Sequence, residues 1–153
     1  MKLSDDISYR GTYGIKPHGV AQGFVTDCWV MAAFSGVAES PERLERIIVP
    51  LERKGLYEVK LFAQARWWHF VVDDLLPTRK GGKYLRYAKP AIGNAIWPMI
   101  LEKAMAKFHT SYGQLSHGQN YEALYAITGM PFSRYNVTKL KDDSIFEIIQ
   151  IAD

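Results

Sequence analysis

Residues 22–38, which read QGFVTDCWVMAAFSGVA, decide the fold that the sequence predicts. From Cys28 to Ala38 the segment is apolar on nearly every face of a helix, a pattern typical of a helix that is buried all round. Asp27 stands just before it, where a short acidic side chain is a preferred cap. The segment therefore predicts a buried central helix with Cys28 at its N-terminus.

The rest of the chain predicts an α+β fold with further helices and a small antiparallel sheet. Apolar spacing and cap residues indicate four more helices, at Ser40–Ile48, Ala95–Phe108, Tyr121–Ile127 and Asp142–Ala152. Alternating apolar residues and turn signals indicate strands at Leu56–Phe62, Trp67–Asp73, Lys83–Tyr87 and Phe132–Val137. In the helix over 95–108, Glu102 and Lys103 are predicted to lie on the side away from the apolar face.

Composition is that of an ordinary globular domain. The chain has 153 residues, of which 48% are apolar and 23% charged, so a single domain is expected. The formal net charge is only +3, and the densest basic run, Arg79–Lys83, is interpreted as a solvated turn, which argues against a nucleic-acid partner. One cysteine cannot form an internal disulfide. With no apolar signal region at the N-terminus and no membrane-span pattern, a cytoplasmic location is predicted.

Cys28 has the setting of a nucleophile. The positive end of a helix dipole stabilises a thiolate, and the thiolate is the form of cysteine that attacks a carbonyl. The backbone N–H of Cys28 and the side-chain amide of Gln22 can donate hydrogen bonds to the oxyanion that develops, and Trp29 would wall off the site. A lone cysteine is otherwise most often a small buried apolar residue, but its neighbours here favour the nucleophile.

Residues 22–29, QGFVTDCW, resemble the Q-G-x-x-x-D-C-W motif with which the central helix of the calpain catalytic core begins. Trp68 and residues 71–78, VVDDLLPT, are similar to the W-x-x-V-x-x-D-D-x-L-P signature of that family. Residues 97–107, WPMILEKAMAK, resemble its W-x-x-L-L-E-K-A-Y-A-K helix. The resemblance covers about residues 10–152 and implies the first, Cys-bearing half of a papain-like core.

The resemblance implies a cysteine-type endopeptidase that acts on polypeptides, with Cys28 as nucleophile and Gln22 as oxyanion donor. Calpain cores carry the catalytic His and Asn in a second half. The histidines of this chain are His18, His69, His109 and His117, and none follows Cys28 at the long separation that such a His needs. We therefore expect a catalytically incomplete chain that needs a second half in cis or in trans. The predicted last helix has no C-terminal cap signal, which suggests continuation in a longer protein.

The resemblance also assigns a substrate cleft and a calcium site. Ser116 and Gly118 would line the cleft with backbone groups, and His117 stands where calpains usually carry Gly. Acidic calcium ligands would stand at the positions of Gly19 and Ala95. Since calcium prefers several oxygen ligands, with carboxylates among them, we expect weak or no calcium binding and no other cofactor.

Two functions remain open at this point. The first is a part of a protease, favoured by the intact Gln22, Cys28 and Trp29. The second is a non-catalytic peptide-binding or regulatory module, favoured by the loss of the calcium carboxylates. Such a module would expose the apolar face that normally lies between the two halves.

Overall fold

The computed structural model describes residues 9–139 and 142–151. The α-helices in this part are α1 (Cys28–Val37), α2 (Pro41–Ile47), α3 (Trp97–Phe108), α4 (Asn120–Thr128) and α5 (Asp142–Ile151). The strands are β1 (Val20–Ala21), β2 (Ile48–Pro50), β3 (Leu56–Ala63), β4 (Arg66–Asp73) and β5 (Lys89–Pro90). Together they confirm the predicted α+β fold. Residues 1–8, which are predicted to hold no signal region, and Ala152 lie outside the described residues.

The larger sheet is antiparallel, with the strand order β2-β3-β4. Its two long strands form a hairpin that closes where Ala63 pairs with Arg66. Gln64 and Ala65 form the two-residue loop and have positive φ angles of 52° and 59°, as a type I′ turn requires. Helix α4 packs on β3 and on α1, while α3 packs on β4. β1 and β5 form a separate two-stranded sheet.

Helix α1 confirms the predicted central helix, with one correction. Most of its side chains are buried, but Cys28, Ala32 and Gly36 are exposed. These residues recur every four positions and therefore lie on one face of the helix. The prediction that the helix is buried on every side was wrong for this face. The thiol of Cys28 is therefore in contact with solvent. Asp27 precedes the helix but makes no side-chain capping hydrogen bond.

Helix α3 is more deeply buried than its sequence predicts. The prediction placed Glu102 on the polar side, but its side chain is only 1% exposed. Met99, Met105 and Ala106 are buried as well, so apolar contacts surround almost the whole helix. The two lysines are exceptions, since Lys107 is exposed and Lys103 is half-buried and reaches the end of β4. The helix is therefore a second core element beside α1.

Several strand assignments differ from the prediction, and the short strands β1 and β5 were not predicted. No strand forms over 83–87, where the chain makes only a single bridge between Thr78 and Leu85. No strand forms over 132–137 either. The third strand of the sheet is instead β2, which follows α2 directly and pairs Ile48 with Val59. The basic run Arg79–Lys83 is an exposed turn, as predicted. Among residues 9–139 and 142–151, no helix has both the length and the apolar character needed to cross a membrane.

Candidate active site

Cys28 is the first residue of α1 and is exposed. The backbone carbonyl of Asp27 begins the helical hydrogen bonds by accepting the N–H of Val30 at 2.9 Å and of Met31 at 3.1 Å. The N–H groups before these have no partner within the helix, because the first turn of any helix leaves its N–H groups free. The thiol thus lies at a cluster of outward N–H donors and at the positive end of the helix dipole.

Gln22 lies on the exposed loop that leads into α1. Its side-chain Nε2 donates a hydrogen bond to the backbone carbonyl of Val25 at 2.6 Å. This bond fixes the direction of the amide within the loop. A primary amide donates two hydrogen bonds, so a second N–H of Gln22 remains for another acceptor.

The loop before Cys28 is held against the segment over 86–88. The N–H of Phe24 donates to the carbonyl of Arg86 at 2.9 Å. Gly23 lies so close to Tyr87 that an added Cβ would come within 2.1 Å of its carbonyl oxygen. Tyr87 is itself held by Tyr112, whose ring stacks on it at 3.8 Å between centroids. The loop therefore accepts no side chain at position 23 and has a rigid support.

The segment over 115–118 lies against Trp29, next to Cys28 in the chain. The indole Nε1 of Trp29 donates to the carbonyl of Leu115 at 2.8 Å. An added Cβ at Gly118 would lie 2.4 Å from the indole ring, so only glycine fits there. The N–H of His117 donates to the carbonyl of Thr26 at 3.4 Å, and His117 has a positive φ of 70°. The structure thus brings the predicted cleft residues together with Trp29.

Comparisons with known proteins agree with this geometry. The sequence pattern of the calpain family cysteine protease matches residues 2–153. The chain belongs to the calpain family. It is 35% identical to the calpain-1 catalytic subunit of Rattus norvegicus over 136 residues, which cover 85% of this chain and 18% of that protein. It is 33% identical to the calpain-2 catalytic subunit of Bos taurus over 147 residues, covering 92% of this chain and 20% of that protein.

A more divergent calpain also matches. Calpain-13 of Rattus norvegicus is 29% identical over 156 aligned positions, which cover 96% of this chain and 23% of that protein. The chain therefore spans about a fifth of the length of the curated calpains that it matches.

The histidines of this calpain-family chain do not pair with Cys28. His69 lies on the edge strand β4, where its Nδ1 is 3.1 Å from the Glu58 carboxylate. His109 follows α3 and meets the Trp29 ring edge-on at 6.0 Å between centroids. Burial lowers the pKa of His109, although the charge of Glu122 opposes that shift. In the described part of the chain, no hydrogen bond or ion pair joins a histidine to the thiol.

The two positions of the calpain calcium carboxylates are built without oxygen-bearing side chains. The backbone carbonyl of Gly19 already accepts the N–H of Ala91 at 3.0 Å. Ala95 is buried and packs on Gly11, where an added Cβ would lie 2.4 Å from the Ala95 nitrogen. No group of three or more His, Cys, Asp or Glu side chains converges on a metal position within the described residues. Gly19 and Ala95 therefore supply no side-chain oxygen at these two positions.

One feature beside Cys28 could not be found from sequence motifs. The carboxyl groups of Asp27 and Glu102 are both buried in the core and shift each other's pKa, although their residues are far apart in the chain. Glu102 also accepts the N–H of Ala88. Only the contact between helices brings these groups together, so no local spacing could have indicated it.

Proposed function

We propose that this calpain-family chain is the nucleophile-bearing half of a cysteine endopeptidase, with Cys28 as nucleophile. The observation that carries the proposal is the exposed thiol at the N-terminus of α1, next to Trp29 and the segment over 115–118. The N–H of Cys28 and the amide of Gln22 would donate to the oxyanion. Backbone groups of Ser116, His117 and Gly118 would hold an extended polypeptide beside it.

The thiolate would attack the carbonyl carbon of the scissile peptide bond and form a tetrahedral oxyanion. Collapse of that intermediate expels an amine, which needs a proton, and leaves a thioester on Cys28. Both proton transfers require a base held against the thiol. We propose that this base and its orienting residue lie on a second half, in cis or in trans, and that the chain alone is catalytically incomplete. The exposed face of α1 with Ala32 and Gly36 would then lie toward that half.

Alkylation of Cys28 tests the nucleophile. We expect the folded chain to react with iodoacetamide near pH 7 about tenfold faster than the same chain unfolded in guanidinium, because the helix end favours the thiolate. Mass spectrometry gives the rate directly, since Cys28 is the sole cysteine. The unfolded chain is the matched control. Equal rates in the two states would contradict the assignment.

Peptide hydrolysis tests the incompleteness. We expect turnover of a generic peptide substrate by the isolated chain to stay near the rate of the Cys28→Ala variant, because nucleophile and base act as a unit. Robust hydrolysis that Cys28→Ala abolishes would show that the chain is complete and would overturn this part of the proposal.

The same variant separates the binding module from the enzyme. Phe24 is 68% exposed on the loop before the thiol, where it is available to a peptide. A non-catalytic module predicts micromolar peptide binding by Cys28→Ala together with ordinary thiol reactivity in the parent chain. Fast alkylation of the parent chain favours the protease part.

We also propose that this half binds calcium weakly or not at all, because Gly19 and Ala95 offer no carboxylates. A cytoplasmic setting is proposed as well. It is supported by a free thiol that needs reducing conditions and by a fold that uses no disulfide.

A further inference from the structure

Two carboxyl groups, one of them on the residue before the candidate nucleophile, are buried in the core and shift each other's pKa. Asp27, the residue before Cys28, is 0% exposed, and Glu102 in the middle of α3 is 1% exposed. Buried carboxylates are normally paired with a cation. The cations nearest in sequence turn elsewhere, because Lys103 and Lys107 reach Asp73 and the carbonyl of Val71. The pair therefore has to be stabilised in another way.

The hydrogen bonds of the two carboxyl groups show that Asp27 lacks a donor. The N–H of Ala88 donates to both oxygens of Glu102, at 3.2 Å and 3.0 Å. Neither carboxyl oxygen of Asp27 receives a hydrogen bond from a donor in the described residues. A carboxylate accepts hydrogen bonds but cannot donate one. Two ionised groups would thus leave Asp27 without a partner, whereas a proton on Glu102 supplies the missing donor.

The pKa shifts of the two carboxyl groups also favour a proton on Glu102. Burial, followed by the hydrogen bond and the charge of Asp27, raises the pKa of Glu102 to about 9, against the opposing effect of the Ala88 N–H. Burial likewise raises the pKa of Asp27. The other titratable group that faces Glu102 is Tyr112, from the 3₁₀ turn packed on α3, and its pKa is raised by burial and by the Glu102 charge. Within the described residues, no cation is among the groups that shift the pKa of Asp27 or Glu102, so like charges disfavour the doubly ionised form.

We propose that Asp27 and Glu102 share one proton and form a positioning pair for Cys28. The shared hydrogen bond ties the residue before the thiol to α3. Glu102 also holds Ala88, the neighbour of the Tyr87 backbone on which Gly23 is packed. The pair thus clamps both ends of the segment over 23–28. Neither group touches substrate, and their role at the site rests on the proposed function of Cys28.

The shared proton links folding to pH. In the unfolded chain Glu102 ionises near 4.5, whereas in the folded chain it keeps its proton up to about pH 9. Between these values the folded chain holds about one proton more than the unfolded chain. Unfolding at pH 7 therefore releases about one proton, and the folded state loses stability as pH rises through this window.

Glu102→Gln tests the shared proton. The amide still donates to Asp27 and accepts from Ala88, but it cannot ionise. We expect the denaturation midpoint of the parent chain to fall as pH rises from 5 to 9, and release of about one proton per molecule at pH 7. Both effects should be lost in Glu102→Gln and kept in the control Glu52→Gln, which changes an exposed carboxylate. Should Glu102→Gln fail to fold, Asp27→Asn removes the neighbouring charge and offers an amide donor to an ionised Glu102, so it is expected to reduce both effects, while burial of Glu102 keeps part of them.

A second readout tests positioning. We expect the alkylation rates of Cys28 in the parent chain and in Glu102→Gln to agree at pH 6 and to separate as pH approaches 9, where double ionisation breaks the clamp in the parent chain and slows its reaction. The two folded proteins are compared with each other, because the unfolded thiol is itself largely ionised at pH 9. If the alkylation rate of Cys28 has the same pH dependence in the parent chain and in Glu102→Gln, the positioning role is overturned. Absence of proton release on unfolding would overturn the shared proton. The same pH dependence of the denaturation midpoint in the parent chain and in Glu102→Gln would overturn it as well. Proton release together with slow alkylation at every pH would support the pair and contradict Cys28 as nucleophile.

Discussion

Gly118 shows how a single residue without a side chain shapes the cleft beside Cys28. Its Cα lies against the indole of Trp29, and a methyl group there would meet the ring at 2.4 Å. Trp29 cannot retreat freely, because its Nε1 is bound to the carbonyl of Leu115 and its side chain is buried. The glycine is needed for space at this point.

Replacing Gly118 with Ala should therefore force the ring and the cleft segment apart. Inserting a methyl group into such a contact costs about 1–3 kcal/mol, so we expect the free energy of unfolding to fall by about that amount. Urea denaturation followed by tryptophan fluorescence measures it.

Gly36→Ala is the matched control, because an added Cβ on Gly36 meets nothing within 4 Å on the exposed face of α1. We expect it to stabilise the protein by about 0.5–1 kcal/mol, since Ala favours a helix over Gly. Equal effects of the two substitutions would contradict the steric role of Gly118.

At the residue scale, the sequence predicts Cys28 and Gln22 as site residues, and that remains a prediction, whereas it does not indicate the burial of Glu102. The first two lie in one short motif, so their spacing is readable without the fold. Glu102 lies in a helix whose apolar residues suggested a single buried face. Met105 and Ala106 extend the burial around the helix, and a carboxyl becomes buried only because Asp27 and Ala88 meet it there. Those contacts depend on the packing of separate elements.

Between elements, Lys103 joins α3 to the end of β4. Its Nζ donates to the carboxylate of Asp73 and to the carbonyl of Leu75 at 2.8 Å. Partial burial opposes ionisation of Asp73, but the hydrogen bonds from Lys103 and the Leu75 N–H outweigh it, so its pKa is lowered. The ion pair therefore contributes stability above the ordinary Asp pKa of 3.8, and this contribution is lost as pH falls through the lowered pKa.

Lys103→Met removes this connection. We expect it to destabilise the protein by about 1 kcal/mol at pH 7, toward the low end for hydrogen bonds to charged groups because Asp73 is partly exposed. The difference from the parent chain should shrink at pH 3, where Asp73 begins to take up a proton. Urea denaturation at both pH values measures it. A difference that stays constant between pH 7 and pH 3 would count against the ion pair, and Lys80→Met in the exposed turn serves as control.

The success of sequence reasoning at the element scale depends on length and periodicity. β3 alternates along its eight residues, β4 is rich in aromatic and β-branched residues, and both were predicted nearly to their ends. β2 has only three residues and follows α2 without a turn, so its first residue, Ile48, was assigned to the end of the helix. The segment over 83–87 has strand-like residues, but its only bridge partner is Thr78, and a strand needs a continuous neighbour.

At the scale of the whole molecule, the exposed thiol lies beside two segments that contact each other. The loop that contains Gln22 is bonded to the segment over 115–118 through the hydrogen bond from the N–H of His117 to the carbonyl of Thr26. The chain spans about a fifth of the length of its calpain relatives, and we propose that the base lies in a part beyond it. Sequence motifs identified the family, whereas the closeness of Trp29 and Gly118 required the fold.

Gly19 and Ala95, where calcium carboxylates would stand, come from segments far apart in the sequence. Calcium binding therefore depends on the fold of the whole chain. We expect titration calorimetry to detect no micromolar calcium binding. Gly19→Asp is expected to increase affinity, since the nearest atom to an added Cβ is 4.0 Å away and a carboxylate fits there. Micromolar binding by the unmodified chain would contradict the prediction.

The hairpin loop of Gln64 and Ala65 is a position where this fold can still gain stability. Both residues hold the left-handed backbone that Asn-Gly adopts with less strain, and each non-glycine residue there costs about 1 kcal/mol. The loop lies at the tip of the sheet, while the thiol lies at the end of α1. Replacing these two residues can therefore add stability that offsets destabilising substitutions at the candidate active site, without changing any residue of that site.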